Sequence, residues 1–118
     1  MSIDPSVLIP YRDVMGAEAD SFEADLIDSF LVNSRVLVQQ LDSSMAGNDA
    51  VTFTRTAHTL KSNSAIFGAY VLSNFCQELE LAGRNGNLGG LQAKIEQLGV
   101  EYEQVCRELA DLRGSLPV

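Results

Sequence analysis

Apolar residues recur along this chain at helical spacing, and no stretch shows the strict alternation, rich in β-branched residues, that marks a strand. From residue 91 onward Leu91, Ile95, Leu98, Tyr102, Val105, Leu109 and Leu112 follow one another in steps of four and three. That spacing draws an apolar seam along one side of a long helix. Gly99 weakens the helix by roughly 1 kcal/mol relative to Ala, and Gly114 and Pro117 mark its end.

Three more helices read the same way. One runs from about Ala19 to Met45, with Phe22, Leu26, Phe30, Leu37 and Leu41 on one face and Ile27, Leu31 and Val38 widening it. Gly47-Asn48-Asp49 then forms a turn, with Asn48 or Asp49 as the next N-cap. The third helix covers about Ala50 to Phe67, where Phe53, Ala57, Leu60, Ser64 and Phe67 share an arc of roughly 80°. Gly68 suits its C-cap. In the fourth, Val71, Leu72, Phe75, Cys76, Leu79 and Ala82 point inward, and Glu80 and Arg84 form an i,i+4 pair near its end. Asn85-Gly86-Asn87 and Gly89-Gly90 break the chain before the last helix.

Short connections make long helices antiparallel neighbours, so the fold class is all-α and the architecture an up-down four-helix bundle. The bundle spans about residues 19–113. Residues 1–17 precede it as a short helical cap, with Asp4 as N-cap, Pro5 at N1 and Pro10 forbidding a long regular helix. The 118 residues suit a single domain over 1–118.

Composition removes several classes of function. Eight basic against sixteen acidic residues give a net charge of −8, which argues against nucleic acid and anionic membrane surfaces as partners. No apolar run approaches the roughly 18 residues of a membrane span. Met1–Pro10 carries Asp4, two prolines and no basic residue, unlike a signal peptide. A single histidine all but excludes a His-rich metal site, and Cys76 and Cys106 match no zinc spacing. They read as small core residues of a reduced, cytoplasmic protein. Whether they pair in a disulfide is a matter of geometry that spacing leaves open.

One place points at chemistry. With Phe53 at 0° on the third helix, His58 falls near 140°, off the seam and facing outward. Thr54, Arg55, Lys61, Ser62 and Ala65 lie around it at offsets of three, four and seven. A neutral imidazole is a nucleophile near pH 7 and can carry a covalent group. Nearby Lys and Arg favour an anionic one, such as phosphate. Phosphoryl transfer asks for positioning and charge neutralisation more than for acids and bases. This helix face has no carboxylate and no glycine-rich phosphate cradle, so Mg²⁺ and most of the catalytic apparatus must come from a partner. Read alone, a surface histidine flanked by Lys61 and Arg55 is also simply a solvated helix face. Ser62-Asn63-Ser64 is less ordinary, because three short polar residues disfavour mid-helix positions.

The stretch Ala57-His58-Thr59-Leu60-Lys61-Ser62-Asn63-Ser64-Ala65-Ile66-Phe67-Gly68-Ala69 resembles the signature of the histidine-containing phosphotransfer (HPt) family. That pattern is Ala-His-x-Leu-Lys-Gly, four variable residues, an apolar residue, then Gly-Ala. Leu72, Cys76, Leu79-Glu80 and Gly83-Arg84 resemble the helix that follows it in the family. The resemblance covers roughly residues 20 to 110. Ser62 departs from it, standing where the family more often has Gly. It leaves slightly less room, and its hydroxyl could bond a phosphate oxygen.

The resemblance implies that His58 accepts a phosphoryl group from an aspartyl phosphate on a receiver domain and passes it to a second receiver. Lys61 would stabilise phosphate charge, with Ser62 beside it. Arg55, Thr54, Ala65 and Ile66 would be phosphate or partner contacts. Gly68 would keep the bend into the fourth helix tight, and Ala69 would permit close packing there. The docking surface would be the exposed faces of the second and third helices, with Ile66 and the rim residues Ile27, Leu31 or Val38 as candidates, each also readable as core. The partners implied are receiver domains of response regulators or of a hybrid sensor kinase, the chain being a monomer with no cofactor of its own and Mg²⁺ on the receiver. Such a carrier is not an autonomous enzyme, since one bundle leaves no space for a nucleotide site. The competing reading is an adaptor that binds a receiver or kinase domain without phosphotransfer. A hydrolase is disfavoured, because Thr54 and Ser62 lack a base–acid geometry and no pocket is suggested.

Overall fold

Asp4 caps the first ordered turn by accepting a hydrogen bond from the Ser6 amide at 3.2 Å, with Pro5 following at N1. The computed structural model describes residues 1–118. A 3-10 turn at Pro5–Leu8 leads into helix α1 (Ile9–Met15), and a second at Gly16–Glu18 leads into α2 (Ala19–Ala46). Helices α3 (Ala50–Ala65), α4 (Tyr70–Arg84) and α5 (Gln92–Ser115) complete the chain. α2 to α5 form the antiparallel up-down bundle, within overall extents of 48 × 23 × 20 Å.

The seams pack as their spacing requires. Ile95, Leu98, Tyr102, Val105 and Leu109 of α5 meet Phe53, Ala57 and Leu60 of α3 and Leu72, Cys76 and Leu79 of α4 in one core. On α2 the buried line is Ile27, Phe30, Ser34 and Leu41. Phe22, Leu26 and Leu37 are only half-buried, so this stripe is rotated from the expected one. Ser34 is satisfied in the core by the Tyr102 hydroxyl at 2.8 Å. Ile27, on the widened apolar face and readable as rim or core, is core: it is fully buried. One expectation is corrected: Val71, read as inward, is half exposed because it begins α4 on the outer side. Leu31 and Val38 are half-buried against the core. Cys76 and Cys106 are free and buried, and burial pushes the Cys76 thiol up to about 12.

The turn between α3 and α4 fixes the end of the bundle. The Ala69 amide donates to the Ser64 carbonyl at 3.1 Å and the Gly68 amide to the Ala65 carbonyl at 3.0 Å, a Schellman closure with Gly68 at φ +65°. Expected to run to Phe67, α3 therefore stops at Ala65. The cap docks on this turn. The Asp4 amide donates to the Phe67 carbonyl at 2.9 Å, the amides of Ser2 and Ile3 donate to the Glu108 carboxylate, and Ile3 and Leu8 enter the core. A Cβ on Gly68 would lie 2.7 Å from the Asp4 Cβ and 2.9 Å from its carbonyl oxygen. Gly68 is thus required twice, by its backbone and by its neighbour, while Ala69 is fully buried beside it.

Gly68→Ala is expected to cost about 2–4 kcal/mol in chemical denaturation, combining left-handed strain with the clash. Gly86→Ala, at φ +70° but with open space around it, should cost only about 1–2 kcal/mol.

Candidate functional site

His58 projects from the middle of α3 with its side chain 55% exposed. The helix turns its apolar positions inward, which leaves position 58 on the outer side, as the wheel requires. What the wheel of one helix misses is the neighbour. Glu80 of α4 is buried, its side chain 4% exposed, and its carboxylate faces α3. One oxygen accepts from the Lys61 ammonium at 2.7 Å. The other meets Nδ1 of His58 at 3.0 Å and the Arg84 guanidinium at 2.6 Å.

The close approach of α4 depends on Gly83, one turn after Glu80. A Cβ there would collide with Thr54 Oγ1, and it would lie 3.2 Å from the Phe53 ring. The Thr54 hydroxyl is spent on the Ala50 carbonyl at 2.7 Å, so Thr54 acts as a packing surface for Gly83 and not as a free phosphate ligand.

The charges decide the tautomer. Lys61's hydrogen bond, above all, holds the Glu80 carboxyl below its ordinary range, with the His58 hydrogen bond and the charges of Lys61 and Arg84 adding to it, against desolvation. An ionised carboxylate only accepts hydrogen bonds, so the proton of a neutral His58 sits on Nδ1. Nε2 then carries the free lone pair, on a side chain that is 55% exposed.

The remaining candidates divide between two sides. Arg55 joins Thr54, His58, Glu80, Gly83 and Arg84 around an open cleft of about 660 Å³. Ser62 is exposed beside His58. Ala65 and Ile66 do not line that cleft. They belong to an apolar groove of about 290 Å³ with Val7, Leu8, Tyr11, Phe22 and Leu26. Expecting no carboxylate at the site was right for α3 alone and is corrected by α4. The signal for Glu80 was present: it stands at roughly 80° on α4 when Leu72 is at 0° and Cys76 at about 40°, so it borders the seam. A charged residue in that position needs partners.

A family model described as "Hpt domain" matches residues 25–114. The chain is an Hpt domain. Among solved structures, the histidine-containing phosphotransfer protein B (HptB) of Pseudomonas aeruginosa PAO1 is 31% identical, with a TM-score of 0.83, 96% of this chain and 95% of that one being covered. The HPT domain of a sensor hybrid histidine kinase from Shewanella shares the fold at 19% identity and a TM-score of 0.80, over 99% of this chain and 97% of that one. No curated protein matches in sequence. Membership makes this Hpt domain a phosphorelay component of a family of phosphocarriers that work with receiver domains. None of its helices is long and apolar enough to cross a membrane.

The lowered Glu80 carboxyl stabilises the fold fully above its unfolded value of about 4.3, and that contribution disappears as pH falls through the lower folded value. Glu80→Gln should therefore cost about 1–2 kcal/mol at pH 7, and urea denaturation should show the gap to wild type narrowing below about pH 4. In Glu80→Ala, ring ¹⁵N shifts of His58 should move from the Nδ1–H pattern to a mixture of both tautomers.

Proposed function

We propose that His58 Nε2 of this Hpt domain accepts a phosphoryl group from the aspartyl phosphate of one receiver domain and yields it to the aspartate of another. The observation that carries this reading is a His58 side chain, 55% exposed, whose ring is held through Nδ1 by a buried carboxylate, with Lys61 and Arg84 at hand.

The chemistry follows from the ring. The Nε2 lone pair attacks phosphorus, an N–P bond forms, and the P–O bond to the receiver's aspartate breaks with its electron pair leaving on the carboxylate. The ring becomes cationic while Nδ1 keeps its proton, and Glu80 stabilises that positive charge from 3.0 Å. In the reverse direction the same contact returns the ring to its neutral form. Lys61 is 27% exposed and reaches Glu80 by a flexible stem, so its ammonium can turn to a phosphoryl oxygen. Ser62 is small enough to leave the approach to Nε2 open, and its hydroxyl is a further donor. Mg²⁺, with most of the charge neutralisation, is to come with the receiver.

Mixing the purified protein with a phosphorylated receiver domain and Mg²⁺ tests this. Acid-labile, base-stable label is expected on wild type and none on His58→Gln, whose circular dichroism should be unchanged because the side chain is exposed. Label that survives in His58→Gln would move the phosphoryl site away from His58, and detectable receiver binding with no label on wild type would favour the adaptor reading. Lys61→Ala should slow transfer about 10- to 100-fold, the worth of one charge-assisted hydrogen bond.

A further inference from the structure

Asparagine precedes glycine at one place in this chain, Asn85-Gly86, and the fold explains the glycine. α4 ends in a Schellman closure. The Asn87 amide donates to the Ala82 carbonyl and the Gly86 amide to the Gly83 carbonyl, both at 3.0 Å, with Gly86 left-handed at φ +70°. A side chain in that conformation is strained, so position 86 calls for glycine even though the space around it is open. The other left-handed glycines, Gly16, Gly68 and Gly90, follow Met15, Phe67 and Gly89. Only at the end of α4 does the requirement fall directly after an asparagine.

That pairing has a chemical consequence. The side-chain carbonyl carbon of an asparagine lies within five-membered-ring reach of the next residue's backbone nitrogen. A following side chain crowds the approach, and glycine has none. Asn33, Asn63 and Asn74 stand inside helices and precede Ser34, Ser64 and Phe75. Asn48 and Asn87 stand in turns but precede Asp49 and Leu88. Asn85 and Gly86 are both exposed, and nothing lies within 4 Å of the place a Cβ on Gly86 would take.

We propose that Asn85 is a site of spontaneous deamidation, and that its conversion to aspartate or isoaspartate loosens the end of α4 that steadies the His58 site. The second half rests on the phosphocarrier reading of His58. In the reaction the Gly86 nitrogen attacks the Asn85 side-chain carbonyl carbon. A C–N bond forms, the nitrogen gives up its proton, and the side-chain nitrogen departs as ammonia. Water then opens the cyclic imide at one carbonyl or the other, leaving aspartate or isoaspartate. One water is consumed, one ammonia is released, and no oxidant or reductant is needed. The Gly86 amide is engaged with Gly83 and Asn85 sits at ψ −1°, so attack waits for the last turn to open. Residues 84–87 are all exposed, and such ends open locally at small cost.

The product acts on its surroundings by charge and by length. It adds a carboxylate to a chain already at −8, at the helix end where the dipole is negative and a carboxylate is unfavourable. Isoaspartate also puts an extra carbon into the backbone, which upsets the spacing that the closing bonds need. The turn so loosened carries Gly83, packed on Thr54, and Arg84, whose guanidinium binds the Glu80 oxygen that meets His58 Nδ1. A carboxylate on the next residue also competes with Glu80 for Arg84.

Wild type and Asn85→Gln, in which the same attack needs a larger ring, are held for days in warm, mildly alkaline buffer, with and without urea. A mass gain of about 1 Da in the peptide holding residue 85, with isoaspartate detected by isoaspartyl methyltransferase, is expected for wild type, faster in urea and absent in Asn85→Gln. Wild type that gains mass there only in urea would overturn the proposal, because the closure would then protect the site. Aged wild type and Asn85→Asp are expected to unfold at lower urea and to take label on His58 about two- to fivefold more slowly than fresh protein, the rate equivalent of one charge misplaced at a helix end. Asn85→Gln should label like fresh wild type. Label rates and urea midpoints equal to those of fresh wild type, in both the aged protein and Asn85→Asp, would overturn the effect on the site. An absence of label on fresh wild type would overturn the phosphocarrier reading instead, and the mass measurement would still decide the modification.

Discussion

The packing of helices α3 and α4 and of the cap over their turn depends on two glycines. At the turn, Gly68 takes a left-handed backbone and lets Asp4 of the cap come close. Near the far end, Gly83 gives its missing side chain's space to Thr54 and Phe53. Glu80 sits between these points. The narrow gap lets a carboxylate rooted on α4 reach the outer face of α3, and it denies that carboxylate water. Burying an unpaired charge is costly, so the partners are obligatory. Lys61, Arg84 and the Nδ1 proton of His58 supply them. The orientation of the His58 ring thus depends on two glycines that do not touch it.

The cap extends the same dependence. Its first residues are tied to the α3–α4 turn and to Glu108 of α5 and add Ile3 and Leu8 to the core, so the short segment is as fixed as the bundle it covers. That fixity gives Val7 and Tyr11 a defined position beside α2 and α3.

Much of this was legible from spacing. Four seams, the Asp49 and Asp4 caps and the Gly68 stop are local signals, and local signals survive folding. His58 was legible as outward-facing because one helix wheel suffices for one helix. What a wheel cannot carry is contact between helices. Glu80 read only as half of an i,i+4 pair with Arg84 because its partners on α3 stand 19 and 22 residues away. Thr54 read as a phosphate or partner contact because its proximity to Gly83 is a property of the crossing. Val71 was misplaced because it lies near the edge of its stripe, where packing against the next helix sets the rotation.

Glu80 also bears on how firmly such a site can hold its cargo. Three bare cations around an imidazole would make a trap, stabilising a bound anion so well that its release became the slow step. A fixed negative charge already among them lowers the attraction without removing it. Lys61 must leave one acceptor to engage another, and gains only the difference. In the role proposed for His58, that weaker hold would let a group be handed on as readily as taken up.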